Sequence, residues 1–155
     1  MVHKFNWERI ASIGVIACKT DASERELLLQ FKEGSVNKED MIPFLSDLKD
    51  HFAGKNVILL WDGLPAHRST LAQDFIARES EWLTVEPMPG YAPELNPVEY
   101  LWTNMKTKHV GNLCPDNVDI LQSRLETAGT EIGGNSDLLL GFLKASGLFG
   151  DQQDR

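Results

Sequence analysis

Val57-Ile58-Leu59-Leu60-Trp61 is an unbroken apolar run closed by Asp62-Gly63. A run this short and uniformly apolar, bounded by turn residues, reads as a strand covered on both faces. Such strands belong to parallel or mixed sheets, so the chain is expected to be a layered α/β protein. Its flanks agree. Ser69 to Arg78 has helical periodicity, with Leu71, Ala72, Phe75 and Ile76 expected inward, and Trp82 to Glu86 fits a second short strand.

Upstream, Ile10 to Cys18 and Glu26 to Lys32 are strand candidates joined by the polar stretch Lys19 to Arg25, which predicts an antiparallel hairpin. From Asn37, a plausible N-cap, Met41, Phe44, Leu45 and Leu48 recur at helical spacing, and Pro43 is tolerable only within the first turns. Gly90 to Pro97 is a loop by composition. Asn96 then suits an N-cap and Pro97 a first helical position, ahead of a stripe of Val98, Leu101, Trp102 and Met105. Helices are expected over about 116–131 and 136–148, split by Gly133-Gly134-Asn135. No internal repeat or low-complexity stretch is present.

Several function classes are disfavoured by composition. The longest apolar runs fall far short of the ~20 residues of a membrane helix, and Met1 to Asn6 does not lead into the apolar core of a signal peptide. A cytoplasmic protein without a membrane partner is expected. The two cysteines, Cys18 and Cys114, form no CxxC pair and read as free thiols. A net charge of −8 argues against a stand-alone nucleic-acid binder, because phosphate affinity comes from Lys and Arg. It is compatible with a metal-dependent nuclease core, whose carboxylates lower the net charge and whose DNA affinity comes from another segment.

Two carboxylates stand out. Asp62 ends an apolar strand, where sites of open α/β sheets collect, although an Asp-Gly turn alone would look the same. Glu99 lies three residues after Asn96, where it can complete a capping box or, at the edge of the buried stripe, reach into a cleft. Lys106, seven residues on, falls on the same side of the helix. Two-metal phosphoryl transfer needs convergent carboxylates, and a strand end plus a packed helix is a rigid way to hold them. His67 fits no metal spacing and suits either a structural hydrogen bond or a contact to substrate phosphate. Arg68 and Lys106 are phosphate-contact candidates or solvated surface charges. Trp7, Trp61, Trp82 and Trp102 read as core residues rather than base-stacking ones. A small-substrate hydrolase using Asp62 and His67 lacks any nucleophile elbow or cysteine–histidine constellation.

As strings, Asn56 to Ser69 (NVILLWDGLPAHRS) and Glu86 to Lys106 (EPMPGYAPELNPVEYLWTNMK) resemble the mariner-like superfamily of DDE transposases, in its bacterial insertion-sequence branch. That family has a strand ending in Asp with a nearby His and Arg/Ser. A Pro-Tyr-x-Pro-x-x-Asn-Pro-x-Glu loop then runs into a helix with Leu-Trp and Lys. The matching residues are Asp62, His67, Arg68, Ser69, Tyr91, Pro93, Asn96, Pro97, Glu99, Leu101, Trp102 and Lys106, and 36 residues separate Asp62 from Glu99. The likeness spans about Lys4 to Lys108 and includes FNWERIASIGVIA and FKEGSVNKEDMIPFL. It implies a ribonuclease-H-like mixed sheet flanked by helices, with Asp62 and Glu99 as the second and third catalytic, metal-binding carboxylates. It also implies His67, Arg68, Asn96 and Lys106 as substrate contacts, and Mg²⁺ or Mn²⁺ in a two-metal site. DNA, as transposon ends and target, is the implied partner, with nucleoid association when bound and a homodimer as a further expectation.

In that family the first catalytic Asp lies on an opening strand upstream of the segment matching Phe5-Asn6-Trp7. Met1 to Lys4 contain no acidic residue, and Asp21, Asp40 and Asp47 fall in turn and helix regions. The expectation is therefore residues 1–115 as a truncated catalytic domain lacking the opening strand, and 116–155 as its C-terminal helical extension. The N-terminal helix-turn-helix of the family is also unmatched. Two readings follow. One is the distal part of a transposase that is inactive alone and completed by its missing N-terminal part; the other is a decayed or adopted remnant acting as a binding module. The segment after Pro115 is open to two roles, packing on the catalytic face or dimerisation.

Overall fold

The computed structural model describes residues 9–111 and 117–149. The expected places of Trp7, Cys114 and Pro115 lie outside these residues. The chain divides into two compact units, one formed by Val36–Asn96 and the other by Met1–Ser35 with Pro97–Arg155.

In the discontinuous unit, β1 (Ile10–Ala17) and β2 (Glu26–Glu33) form the expected antiparallel hairpin, in a register pairing Ile10 with Glu33 and Ala17 with Glu26. Its turn is held by Asp21, whose Oδ1 accepts from the Ser23 N–H at 2.9 Å, and by an ion pair between Lys19 and Glu24. Arg25 ties it down, donating from Nη1 to the Ala22 carbonyl at 2.6 Å and from Nε to the Ser136 carbonyl at 3.0 Å. Cys18 is a half-buried free thiol, and burial raises its pKa against the opposing pull of Arg25, which keeps it in the unreactive protonated form.

Helices α3 (Pro97–Asn104), α4 (Val118–Gly133) and α5 (Ser136–Ala145) complete this unit. Asparagines cap both of the last two: Asn117 Oδ1 accepts from Ile120 N–H at 2.9 Å, and Asn135 Oδ1 accepts from Leu138 N–H at 3.0 Å. The core gathers Leu101, Met105, Ala128, Ile132, Leu139 and Phe142, with Ile16, Leu27, Leu29, Phe31, Val98 and Trp102 packed around it. The stripe expected on α3 is thus the buried one. Trp102 lies so close to β1 that a Cβ on Gly14 would approach its Cη2 and Cζ2 to 2.9 Å. A glycine inside a strand run marks such a close approach.

The second unit contains a 3₁₀ turn (Lys38–Asp40), α1 (Met41–His51), β3 (Val57–Trp61), α2 (Thr70–Arg78) and β4 (Leu83–Pro87). Asn37 precedes the 3₁₀ turn, and its N–H donates to Asp40 Oδ2 at 2.6 Å. Pro43 sits in the first turn of α1, where its missing N–H costs nothing. β3 and β4 are parallel, Val57 opposite Leu83 and Trp61 opposite Pro87, joined by α2.

Two expectations are corrected here. β3 is covered on one face only: Leu59 and Trp61 are buried, whereas Ile58 is 64% and Leu60 42% exposed. Among the described residues β3 has a single strand neighbour, β4, so alternate side chains of the apolar run face opposite environments. Leu71 is exposed rather than inward, while Ala72 and Phe75 are buried. At about 100° per residue it lies a quarter-turn off the stripe centred between Ala72, Phe75 and Ile76.

Glu79 closes α2 by accepting from Lys49 Nζ at 2.6 Å and Trp82 Nε1 at 2.6 Å. The lysine contact, then the indole N–H, holds its carboxyl below the usual 4.5. A depressed folded-state value means the contribution is present above the unfolded value and is lost as pH falls through the folded one. Urea unfolding across the acid range should therefore show a gentler acid-side loss of stability in Glu79→Gln than in the parent. Gly14→Val should cost about 1–3 kcal/mol by overpacking against Trp102. Gly63→Ala, with nothing within 4 Å of the added Cβ, should be close to neutral in the same assay.

Candidate active site

Asp62 follows β3 directly, and the turn after it shapes its surroundings. Its Oδ1 accepts from the Leu64 N–H at 3.2 Å, a local turn that an Asp side chain makes with the backbone two residues on. His67 N–H and Arg68 N–H both donate to the Leu64 carbonyl, at 3.0 and 3.3 Å, which curls the chain back toward the strand end. Ser69 then starts α2, its Oγ accepting from Ala72 N–H at 3.3 Å.

The curl brings His67 to Asp62. Nδ1 of His67 is 2.9 Å from Asp62 Oδ1 and 3.0 Å from the Asp62 carbonyl oxygen. Both neighbours are acceptors, so Nδ1 carries a proton, which in the neutral tautomer leaves the lone pair on Nε2. The imidazole also lies flat on the Trp61 indole, with centroids 4.4 Å apart and planes 1° from parallel. Trp61 is buried and the His67 side chain only 17% exposed, whereas the Asp62 side chain stays 38% exposed. Among the described residues, the Leu64 N–H and His67 Nδ1 both meet the Asp62 side chain at Oδ1. Arg68 is exposed beside this group.

Asn96 ends the same unit in extended backbone, φ −94° and ψ 107°, just after a 3₁₀ turn over Pro93–Leu95. In that loop Tyr91 is fully exposed and holds a left-handed φ of 59°, uncommon for a bulky residue.

Glu99 belongs to the other unit, in the first turn of α3, with its side chain exposed. Its carbonyl accepts from Thr103 Oγ1 at 2.9 Å. Leu101 and Trp102 fix the helix on the hairpin, and Tyr100 Oη donates to the Ala145 carbonyl at 3.1 Å. After Asn104 the helix widens into a π segment, Met105–Val110, which carries an exposed Lys106 and ends at Gly111. A Cβ on Gly111 would sit 2.7 Å from the Lys106 carbonyl, so the π turn depends on glycine there. Such π turns are frequent at functional sites.

The structure therefore joins Asp62 to His67 and holds Glu99 on a packed helix. Among the described residues no group of three or more His, Cys, Asp and Glu side chains comes together. Carboxylate oxygens are the donors a hard divalent cation takes, and by donor chemistry Asp62 and Glu99 suit Mg²⁺ or Mn²⁺. The Trp61–His67 stack escaped sequence reasoning, as did the dependence of α3 on Gly14. A Trp ending a strand, with a His six residues on, signals nothing until the turn geometry is known, whereas Gly14 within IASIGVIA was a visible cue.

Residues 5–122 match the profile of the family described as DDE superfamily endonuclease. Among solved structures, the Mos1 transposase catalytic domain with raltegravir and Mg is similar at TM-score 0.61 and 15% identity, covering 90% of this chain and 77% of that one. The crystal structure of the catalytic domain of Mos1 mariner transposase is similar at TM-score 0.55 and 15% identity, covering 89% and 81%. The Mos1 paired-end complex with the left transposon end is similar at TM-score 0.52 and 14% identity, covering 89% of this chain and 54% of that one. Among curated protein sequences no match is found. The structural likeness establishes the ribonuclease-H-like α/β fold.

Nitrogen-15 correlation spectra of the histidines should show neutral His67 protonated on Nδ1. His67→Ala should remove the stack and a hydrogen bond, lowering stability by about 1–2 kcal/mol and changing the Trp61 fluorescence.

Proposed function

The chain belongs to the DDE superfamily endonucleases, and from that premise we propose that it is the distal catalytic part of a transposase that cleaves DNA at transposon ends and transfers the freed strand to target DNA. The observation that carries this reading is a carboxylate at the end of β3 and another in the first turn of α3, both within the matched residues. The bacterial insertion-sequence branch remains the best fit to the Asn96-Pro97-x-Glu99 loop. In domain terms, residues 1–115 form the catalytic part and 116–155 a helical extension.

Asp62 and Glu99 are the second and third metal-binding carboxylates of this scheme. The Leu64 N–H and the Nδ1–H of His67 fix the Asp62 carboxylate through Oδ1, so Oδ2 is presented in one orientation without the entropy loss of a free side chain. Trp61 in turn holds the imidazole plane. Glu99 rides on a helix anchored by Leu101 and Trp102, so its position is set by core packing. Mg²⁺ or Mn²⁺, when bound to these carboxylates, supplies nucleophile activation and neutralises charge at the scissile phosphate. Arg68 and Lys106, both exposed, offer phosphate contacts. His67 through the Nε2 lone pair offers an acceptor to a substrate O–H or a water, and Asn96 through its amide a further substrate contact.

The first carboxylate of the triad comes, in this proposal, from polypeptide outside the residues matched here, together with the DNA-binding region that a net charge of −8 calls for. Among the described residues, β1 has a single strand neighbour, β2. An open edge of that kind accepts a further strand.

Mn²⁺ titration of the chain, followed by water-proton relaxation, should show weak binding that Asp62→Asn abolishes. When the chain is combined with a segment bearing the opening strand and its Asp, metal-dependent nicking of a transposon-end duplex should appear. Asp62→Asn and Glu99→Gln should each lower that nicking on the order of a hundredfold or more, the scale seen when one group stabilising developing charge is removed. Nicking that survives Asp62→Asn would overturn the assignment.

A further inference from the structure

The loop after β4 carries a side chain that the fold does not use. Tyr91 is fully exposed and holds a φ of 59°. Among the described residues its side chain has no hydrogen bond, ion pair or ring contact. A bulky residue in the left-handed region is strained unless something local offsets it. The other two non-glycine residues there, Ala22 and Glu24, have such an offset in the hairpin turn. Ala22 N–H donates to the Lys19 carbonyl at 2.9 Å, and Glu24 pairs with Lys19. Among the described residues the remaining left-handed positions are glycines, Gly34, Gly54 and Gly147. Gly90 stands one residue before Tyr91 but outside that region, so an aromatic occupies the position where folding alone favours glycine.

The strained residue lies at the edge that bears Asp62. β3 and β4 are parallel with Trp61 opposite Pro87, and Met88 N–H donates to the Trp61 carbonyl at 2.8 Å. The loop bearing Tyr91 therefore leaves the sheet beside the residue that precedes Asp62. Three residues of chain reach at most about 11 Å from Met88 to Tyr91. Leu64, in the turn that holds Asp62 Oδ1, is a second apolar side chain exposed at this edge. The carboxyl ends of parallel strands are where ligands of open α/β sheets bind. Backbone strain that local contacts do not offset concentrates at such sites.

We propose that Tyr91 is a stacking platform for an unpaired nucleobase next to the phosphate held at Asp62. This role rests on the endonuclease reading and adds to it the state of the DNA, unpaired at one nucleotide or more beside Asp62. Bases in a duplex are covered by their stacked neighbours and offer only their edges in the grooves. A ring face therefore meets a base only at a strand end or outside the stack. Exposure without any contact leaves both faces of the Tyr91 ring available. Every base has a π face, so such a platform holds a nucleotide without reading its identity. Leu64 suits the same nucleotide, since bases outside the stack are held between aromatic and apolar side chains.

Fluorescence anisotropy of the full chain at low ionic strength tests the platform, with a labelled single-stranded oligonucleotide and its matched duplex as probes. The parent should prefer the single strand. Tyr91→Ala should weaken single-strand binding roughly tenfold or more, with little change for the duplex. Tyr91→Phe keeps the ring and should bind as the parent does; a loss on that substitution would assign the contact to the hydroxyl and overturn stacking. Tyr91→Gly should lose the same binding while raising the urea midpoint, because glycine relieves the left-handed φ. A lowered midpoint in Tyr91→Gly would mean that the ring serves the fold, and would overturn the proposal. So would a parent indifferent to base pairing, or a Tyr91→Ala chain that binds the single strand as the parent does. The assay contains no divalent metal and reads no cleavage, so its failure leaves the Asp62 and Glu99 assignments standing, and their failure is read by nicking alone.

Discussion

Trp102 resting on Gly14 is the contact on which the discontinuous unit depends. The indole needs the space a side chain on β1 would fill, with a hypothetical Cβ at 2.9 Å from two of its ring carbons. Seated there, Trp102 turns Leu101 and Met105 into the core shared with Ala128, Ile132, Leu139 and Phe142. The same seating fixes the helix that carries Glu99. Because α3 enters the unit at Pro97 and leaves through a π segment, the hairpin contact anchors it between two irregular ends. The position of Glu99 on this helix is thereby set by apolar packing at residues two and three positions away.

Asp62 is held by different means. No buried stripe supports it; the turn after β3 does, through one backbone N–H and one imidazole on the same oxygen. The imidazole is itself held by the Trp61 ring, whose burial follows from strand alternation. A core tryptophan, a half-buried histidine and an exposed carboxylate oxygen thus form a graded path from the apolar interior to solvent. In the proposed function, hydrogen bonding through one oxygen leaves the other for a metal ion, since outer hydrogen bonds orient a ligating carboxylate.

The edges of the two sheets differ in character. β3 shows solvent an apolar face through Ile58 and Leu60, whereas β2 carries charges at both ends of an apolar centre. Edge charges commonly discourage indiscriminate strand addition.

Much of the architecture could be read directly from the residues. The hairpin follows from two β-rich runs around Lys19 to Arg25, α3 from Asn96-Pro97 and its stripe, and α4 and α5 from two helical stretches split by Gly133-Gly134-Asn135. The family could be read too, because the Asp62 and Asn96-Pro97-x-Glu99 strings sit in one chain at a fixed interval. These are local or one-dimensional properties: periodicity, turn chemistry and spacing are complete in the sequence. Tertiary structure alone decided which face of Val57–Trp61 is covered, that Leu71 points outward, that His67 lies on Trp61 beneath Asp62, and that the helix after Glu99 widens to a π turn closed by Gly111. Each of these depends on what stands next to a residue in space, and an apolar run or a lone histidine carries no record of its neighbours across the fold.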